Sequence, residues 1–302
     1  MPDSTMSNRP IVFGEALLDV FPDGTEVLGG APFNVAWHLH GFGLRPLMIS
    51  RVGNDPRGRT VLSKMTDWGM DTSGIQIDTD HPTGIVEVSL NKGEPDFDIV
   101  PERAYDFIQW GPIDDLLRSN RGALLYHGTL IGRSPASEQS LYRMIRETKA
   151  PVFLDVNLRK RCWERSRVKG MLQSATWIKL NEAELMELQS GIEPEAEAVK
   201  AMLIAYHSDS VIVTRGERGA TLYALDDGPI SERPPASEEI VDTVGAGDAF
   251  SAVMILGLLS SWNPHRALAC AVSFAAAVCR IRGAIVDDPA LYEGFNKKWE
   301  RS

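Results

Sequence analysis

Short apolar runs alternate with amphipathic stretches along most of the chain. The runs open as IVFG at Ile11 and PLMISRVG at Pro46. They return as ALLYHG at Ala123, PVFLDVNLR at Pro151, WIKLN at Trp177 and SVIVTRG at Ser210. Each is rich in Val, Ile and Leu and closes on polar residues or glycine, the pattern of a buried parallel strand. Amphipathic stretches at 134–149, 182–190 and 195–206 predict helices between them. Strand–helix alternation at this spacing predicts a doubly wound α/β fold, a mostly parallel sheet with helices on both faces. The length, 302 residues, suits one large domain of that kind with an appendage.

One segment departs from this rhythm. TGIVEVSLNKGEPDFDIV, Thr83 to Val100, alternates with period two on both sides of Asn91-Lys92-Gly93-Glu94. Val86, Val88 and Leu90 share one face; Ile85, Glu87 and Ser89 share the other. The pattern predicts a β-hairpin, either as a small antiparallel sheet standing off the body as a lid or as an edge of the main sheet. A second antiparallel hairpin at a sheet edge is expected after Gly219, in GATLYALDDG.

Composition narrows the classes of function. The net charge is −10 and Lys and Arg form no block. Nucleic acid is therefore not an expected partner, because phosphate neutralisation needs a concentrated basic surface. The 3 cysteines, Cys162, Cys270 and Cys279, are too few and too dispersed for a disulfide framework or a zinc site. Cys270 and Cys279 read as buried free thiols. No run approaches the roughly 18 apolar residues of a membrane span, and the N-terminus has no apolar leader. A soluble protein of the cytoplasm is expected.

Chemistry concentrates where the predicted strands end, which is where open α/β sheets bind ligands. In DTVGAGDAF, Gly245 and Gly247 precede an apolar helical run, and Asp248 lies inside the same turn. Amides at a glycine-rich helix start bind anions, phosphate above all. Asp248 is then either a cap for that helix or a base beside a transferring phosphoryl group. In GGAPFNVAWHLHGFG, Gly29 and Gly30 permit close approach of a ligand, and Asn34 lies one turn into the following helix, as a cap, a buried hydrogen-bonding residue or a ligand contact. Asp19 ends the opening apolar segment. In KLNEAEL, Asn181 and Glu184 have the spacing of a capping box, and equally of a pair that orders hydrated magnesium. Thr214, Gly216 and Gly219 follow a strand as a nucleotide-contacting turn would. There is no Gly-x-x-x-x-Gly-Lys-Ser/Thr loop, no Gly-x-Gly-x-x-Gly after the first strand and no Gly-x-Ser-x-Gly elbow. His127, at a strand end, reads as packed or pocket-lining.

Taken in order, these motifs resemble the ribokinase-like sugar kinases, the PfkB family, over essentially the whole chain. GGAPFNVAWHLHGFG with RVGNDPRG is similar to the family's first signature, and DTVGAGDAF to its second. GEALLDVFPDG, Gly-Gly-Ala-Pro and DVNLR look most like the fructokinase branch. The resemblance implies a single kinase domain over 1–302, with a β-sheet lid from parts of roughly 15–30 and 83–110. It implies ATP and Mg2+, with Asp248 as general base and Gly245, Ala246 and Gly247 as anion-hole amides. Asp19, Gly29, Gly30 and Asn34 would hold the sugar, with Phe97 and Arg159 as further candidates. Lys179, Asn181, Thr214, Gly216 and Gly219 would lie along the nucleotide, and Glu184 would hold magnesium through water. A monovalent cation such as K+ would sit at Asp242 and Val244. A homodimer through the lid is a further expectation.

Three places depart from the family pattern. Val244 stands where Thr is frequent, CRIRGAIVDDP matches the usual adenine-contacting segment only loosely, and GEPDFDIV aligns poorly with the lid. Fructose is the expected acceptor. Ribose, a 2-keto-3-deoxy sugar acid or a nucleoside are the alternatives within the fold, and a non-catalytic sugar-binding protein is the alternative outside it. A sugar acid would require a deep arginine near Asp19 and Asn34.

Overall fold

The computed structural model describes residues 9–91, 94–117, 122–235 and 240–300. The chain begins β1 (Pro10–Phe13), β2 (Leu17–Val20), β3 (Glu26–Gly29), α1 (Ala31–Gly41), β4 (Leu47–Gly53), α2 (Pro56–Asp67) and β5 (Ile75–Asp78). It continues through β6 (Gly84–Asn91), β7 (Glu94–Ile99), α3 (Trp110–Leu117), β8 (Leu124–Gly128), α4 (Pro135–Thr148) and β9 (Val152–Asp155). Then come α5 (Arg165–Ser174), β10 (Trp177–Asn181), α6 (Glu182–Leu188), α7 (Glu195–Tyr206), β11 (Ser210–Thr214), β12 (Ala220–Tyr223) and β13 (Ile230–Glu232). Three helices close the chain: α8 (Ala246–Leu259), α9 (Pro264–Val278) and α10 (Pro289–Trp299).

The six apolar runs are all strands of one sheet, ordered β13-β12-β11-β10-β9-β8-β1-β4-β5. Neighbours from β11 to β5 run parallel, as continuous hydrophobic runs predict, and β12 and β13 add the expected antiparallel edge. Alternate residues of each strand enter opposite cores. Val12, Met48, Tyr126, Phe153 and Ile212 face the layer of α1, α8, α9 and α10. Ile11, Ile49, Leu125, Leu154, Ile178 and Val213 face that of α3, α4, α5 and α7. The strand order turns at β1, whose neighbours are β8 and β4, so a crevice is expected beyond the carboxyl ends there.

The hairpin forms a separate sheet, β3-β2-β6-β7, and is no edge of the main one. Val86 and Val88 are buried, but so is Ile85 on the opposite face, because the base of the sheet sits against the body. Leu17, Val86, Tyr105 and Leu130 form the apolar root between the two. Arg133 fastens the strand that leaves it, donating to the carbonyls of Ile99 at 3.2 Å and Val100 at 2.9 Å and to Asp106 at 2.8 Å. The predicted hairpin turn falls on Lys92 and Gly93, which lie outside the described residues, as do Glu238 and Glu239 ahead of the glycine motif.

Candidate active site at the carboxyl ends of the strands

The glycine motif folds as a left-handed turn into a buried helix. Gly245 is the N-cap of α8, with φ 78°. A Cβ at Gly245 would come within 2.5 Å of Ala284, so dihedral and packing both demand glycine. The helix begins at Ala246, so Gly247 lies within it rather than before it, and Asp248 is its third residue. Residues Asp248 to Gly257 are buried, and this holds the N-terminus rigidly at the strand ends. The first amides of the helix carry the positive end of its dipole.

Asp248 is only 9% exposed, and its Oδ2 accepts a 2.8 Å hydrogen bond from Asn34 Nδ2. Burial pushes its carboxyl up to about 6; the Asn34 bond opposes that rise and the Asp155 charge adds to it. Asn34 is in the first turn of α1, whose N-cap is Gly30 at φ 106°. The two signature motifs thus meet in one hydrogen bond across 214 residues of sequence. Asn34 Oδ1, also buried, has no partner among the described residues.

Asp19 projects from β2 beside Gly29, where a Cβ would sit 3.4 Å from its Oδ2. Burial raises it to about 6, opposed by the Arg159 guanidinium. Arg159 itself is exposed, within electrostatic reach of Asp19 and Asp248. Phe97, on β7 opposite Val88, is 47% exposed and has no described contact with these groups.

Below the glycine turn lies a buried network. Lys179 Nζ donates to Asp155 Oδ1 at 2.8 Å and Oδ2 at 3.0 Å. Ser251 Oγ and Tyr126 OH donate to the same Oδ2 at 2.7 and 3.3 Å. Lys179 Nζ would lie 3.1 Å from a Cβ on Gly247, so its charge is directly beneath the turn.

Asn181 and Glu184 form a full capping box: Asn181 Oδ1 accepts from the Glu184 amide at 2.9 Å, and Glu184 Oε2 from the Asn181 amide at 2.8 Å. Glu184 Oε1 also accepts from the Leu158 amide at 3.1 Å, so both its oxygens are engaged. The turn after β11 is closed by Arg215 N donating to Gly219 O at 2.8 Å. Gly219 is pinned against the Glu232 carbonyl, 1.9 Å from a would-be Cβ, whereas Gly216, at φ 56°, faces open space. Asp242 ties the approach to the glycine turn, accepting from the amides of Val244 and Gly283, each at 3.0 Å.

His127 is fully buried and pushed down to about 4 by burial, a packed neutral imidazole. Cys270 is buried, but Cys279 is only half-buried, because it caps the exposed end of α9. Among the described residues no helix is long and apolar enough to cross a membrane. Sequence reasoning passed over Glu15, Ser251 and Tyr126, and singled out Asp155 only as the start of the strand-end segment DVNLRKRCW, without a role of its own. Asp155 stood within the DVNLR motif, and an acid ending a buried strand was the available signal. Ser251 and Tyr126 resemble ordinary helix and strand residues and carried none.

A glycine turn at a helix N-terminus, an under-paired buried carboxylate beside it and a buried lysine beneath come together at the carboxyl ends of the parallel strands, where open α/β sheets bind ligands. Residues 11–291 match the pfkB family carbohydrate kinase profile, and the chain belongs to that family. It is an ATP-dependent sugar kinase. The fructokinase of Klebsiella pneumoniae is 29% identical over 286 residues, 90% of this chain and 91% of that one. That of Escherichia coli is 30% identical over 270 residues, 85% and 86% of the two chains. The fructokinase of Vibrio cholerae O395, solved with fructose, ADP and calcium ion, superposes with a TM-score of 0.81 at 26% identity, covering 97% and 99% of the chains. A double mutant of that enzyme was solved with fructose, ADP and potassium ion.

Proposed function

We propose that the enzyme phosphorylates free fructose from ATP, with Asp248 as general base. The observation that carries this reading is the Asn34–Asp248 hydrogen bond, which sets the base beside the Gly29-Gly30 turn. Fructose as the acceptor is supported by the likeness to fructokinases. Asp19, Gly29, Gly30 and Asn34 hold the sugar, with Arg159 at the rim within electrostatic reach of Asp19 and Asp248. The raised carboxyl of Asp248 is ionised at neutral pH yet basic enough to take the hydroxyl proton as attack proceeds. The amides of Gly245 and Gly247 stabilise the charge that develops on the transferring group, joined by that of Ala246, which donates to the Thr243 carbonyl at 3.3 Å in this structure, with Lys179 adding positive potential from beneath.

Thr214 and Gly216 flank the nucleotide, the open space at Gly216 admitting it, and Gly219 holds that turn against β13. Asn181 and Glu184 fit magnesium only through water, since backbone amides occupy both Glu184 oxygens. Bound there, the ion neutralises phosphate charge. Carbonyl oxygens at Asp242 and Val244 are the donors offered to a monovalent cation, the Asp242 carboxylate being taken by amides. The four-stranded sheet acts as a lid on the sugar, Phe97 on its outer strand, and its edge strands offer a surface for a second copy.

The test is ADP release against a panel of fructose, ribose, a 2-keto-3-deoxy sugar acid and a nucleoside. Highest kcat/KM with fructose is expected. Preference for another acceptor would replace fructose, and release with none would leave a sugar-binding protein.

A further inference from the structure

Glu15 is an acid that the chemistry above leaves unused. It lies in the connection between β1, at the turning point of strand order, and β2, which carries Asp19. The residue is 5% exposed. A Cβ on Gly30 would fall 2.8 Å from the Glu15 carbonyl oxygen and 3.2 Å from its Cγ, so Glu15 presses directly on the turn that launches Asn34. Its Oε2 has no hydrogen-bond partner among the described residues. Asn34 Oδ1 is in the same condition, its Nδ2 being committed to Asp248. Two buried acceptor oxygens therefore stand unsatisfied around the base. Native chains rarely leave such atoms bare unless something else supplies the donor.

The charges around Glu15 restrict what that donor can belong to. Asp248, Arg133 and Arg159 are within electrostatic reach of it, and burial raises its carboxyl to about 7. Arg133 is committed to Asp106, the Tyr105 hydroxyl and two carbonyls, and Lys179 to Asp155. Arg159 stands on the exposed rim. Of the two arginines within electrostatic reach of Glu15, one is thus committed elsewhere and the other stands at the rim. An anionic group seated deep in the site would meet Glu15, Asp19 and Asp248, with Arg159 at the rim as the cation within electrostatic reach of all three.

We propose that Glu15 is an acceptor-binding and specificity residue: its Oε2 takes a hydrogen bond from a hydroxyl of a neutral sugar beside Asp248, and its acid turns away acceptors bearing a carboxylate or phosphate there. The proposal rests on the sugar-kinase activity and on the placement of Asp248, but not on fructose being the sugar. It is tested with the full chain as wild type, Glu15→Gln and Glu15→Leu, assayed on fructose, ribose, a 2-keto-3-deoxy sugar acid and fructose 6-phosphate. Mg–ADP affinity and thermal midpoint are measured alongside.

Assayed at pH 8, above the raised carboxyl of Glu15, Glu15→Leu is expected to raise KM for the preferred neutral sugar roughly 10- to 100-fold, the loss of a hydrogen bond to a charged group. Mg–ADP affinity should stay within about twofold. Glu15→Gln, which keeps an acceptor oxygen, should recover most of that loss while lowering the preference for neutral over anionic acceptors about tenfold. Wild-type preference for ribose over fructose would remove the fructose assignment and still support this role. Wild-type preference for the sugar acid overturns it. So does an unchanged KM and preference ratio in Glu15→Gln, the deciding variant should Glu15→Leu fail to fold. Parallel losses of sugar affinity, ADP affinity and thermal midpoint would make Glu15 a mere hinge brace and overturn it too.

Discussion

Asp155 and Asp248 are both buried aspartates, one ending β9 and one in the first turn of α8, and they are partnered in opposite ways. Asp155, 1% exposed, receives two contacts from the Lys179 ammonium and hydroxyl bonds from Ser251 and Tyr126. Asp248 receives one neutral amide bond, and burial holds its carboxyl at about 6. Burial alone therefore does not mark a reactive acid. A carboxylate saturated with donors fixes structure and positions a cation, and one left short of donors keeps basicity for a substrate proton.

That contrast predicts opposite consequences for similar substitutions. Asp248→Asn should lower kcat by about 10²- to 10⁴-fold, the usual share of a general base, with the sugar KM nearly unchanged; near-normal turnover would end its role as base. Its stability should also follow a definite sign. A carboxyl raised in the folded state favours folding at low pH and loses that contribution as pH rises through about 6. Asp248→Asn should therefore be at least as stable as wild type at pH 8, the difference closing between about pH 6 and pH 4 in urea titrations.

Asp155→Ala should do the reverse. It strands the Lys179 ammonium in the interior, and urea denaturation should show a loss of about 3–5 kcal/mol. A loss under about 1 kcal/mol would mean that water or another acid can replace Asp155. A smaller effect is expected on the pH profile. The limiting rate of the wild type should fall about tenfold per unit below about pH 6, as Asp248 takes up its proton, and a flat profile down to pH 5 would break the assignment. The smallest effect is expected at the turn itself. Gly245→Ala meets both the positive φ and the Ala284 contact, and should cost about 1–3 kcal/mol in a thermal or urea melt.

Much of the architecture was legible because hydrophobic period is local. The runs at Ile11, Pro46, Ala123, Pro151, Trp177 and Ser210 are strands, and the helix expected over 195–206 is α7. The capping reading of Asn181 and Glu184 is realised in full, since three-residue spacing at a helix start dictates that geometry. Less legible was the body of the site. Glu15 sits in an apolar stretch where an acid suggests a strand end, and its burial follows from Gly30 packing on it. The role of Asp155 required β9 and β10 to be neighbours, placing Lys179 opposite it in register.

The sequence alone settled the alternation that makes a doubly wound sheet, the glycines at two helix starts and the acid within the second turn. These follow from the preferences of one residue and its near neighbours. Only tertiary structure decided that Asn34 donates to Asp248, that Lys179 is bound by Asp155 beneath Gly247, and that the hairpin forms its own sheet. Those depend on which distant segments are brought within 3 Å, and on which buried oxygens then still lack a donor.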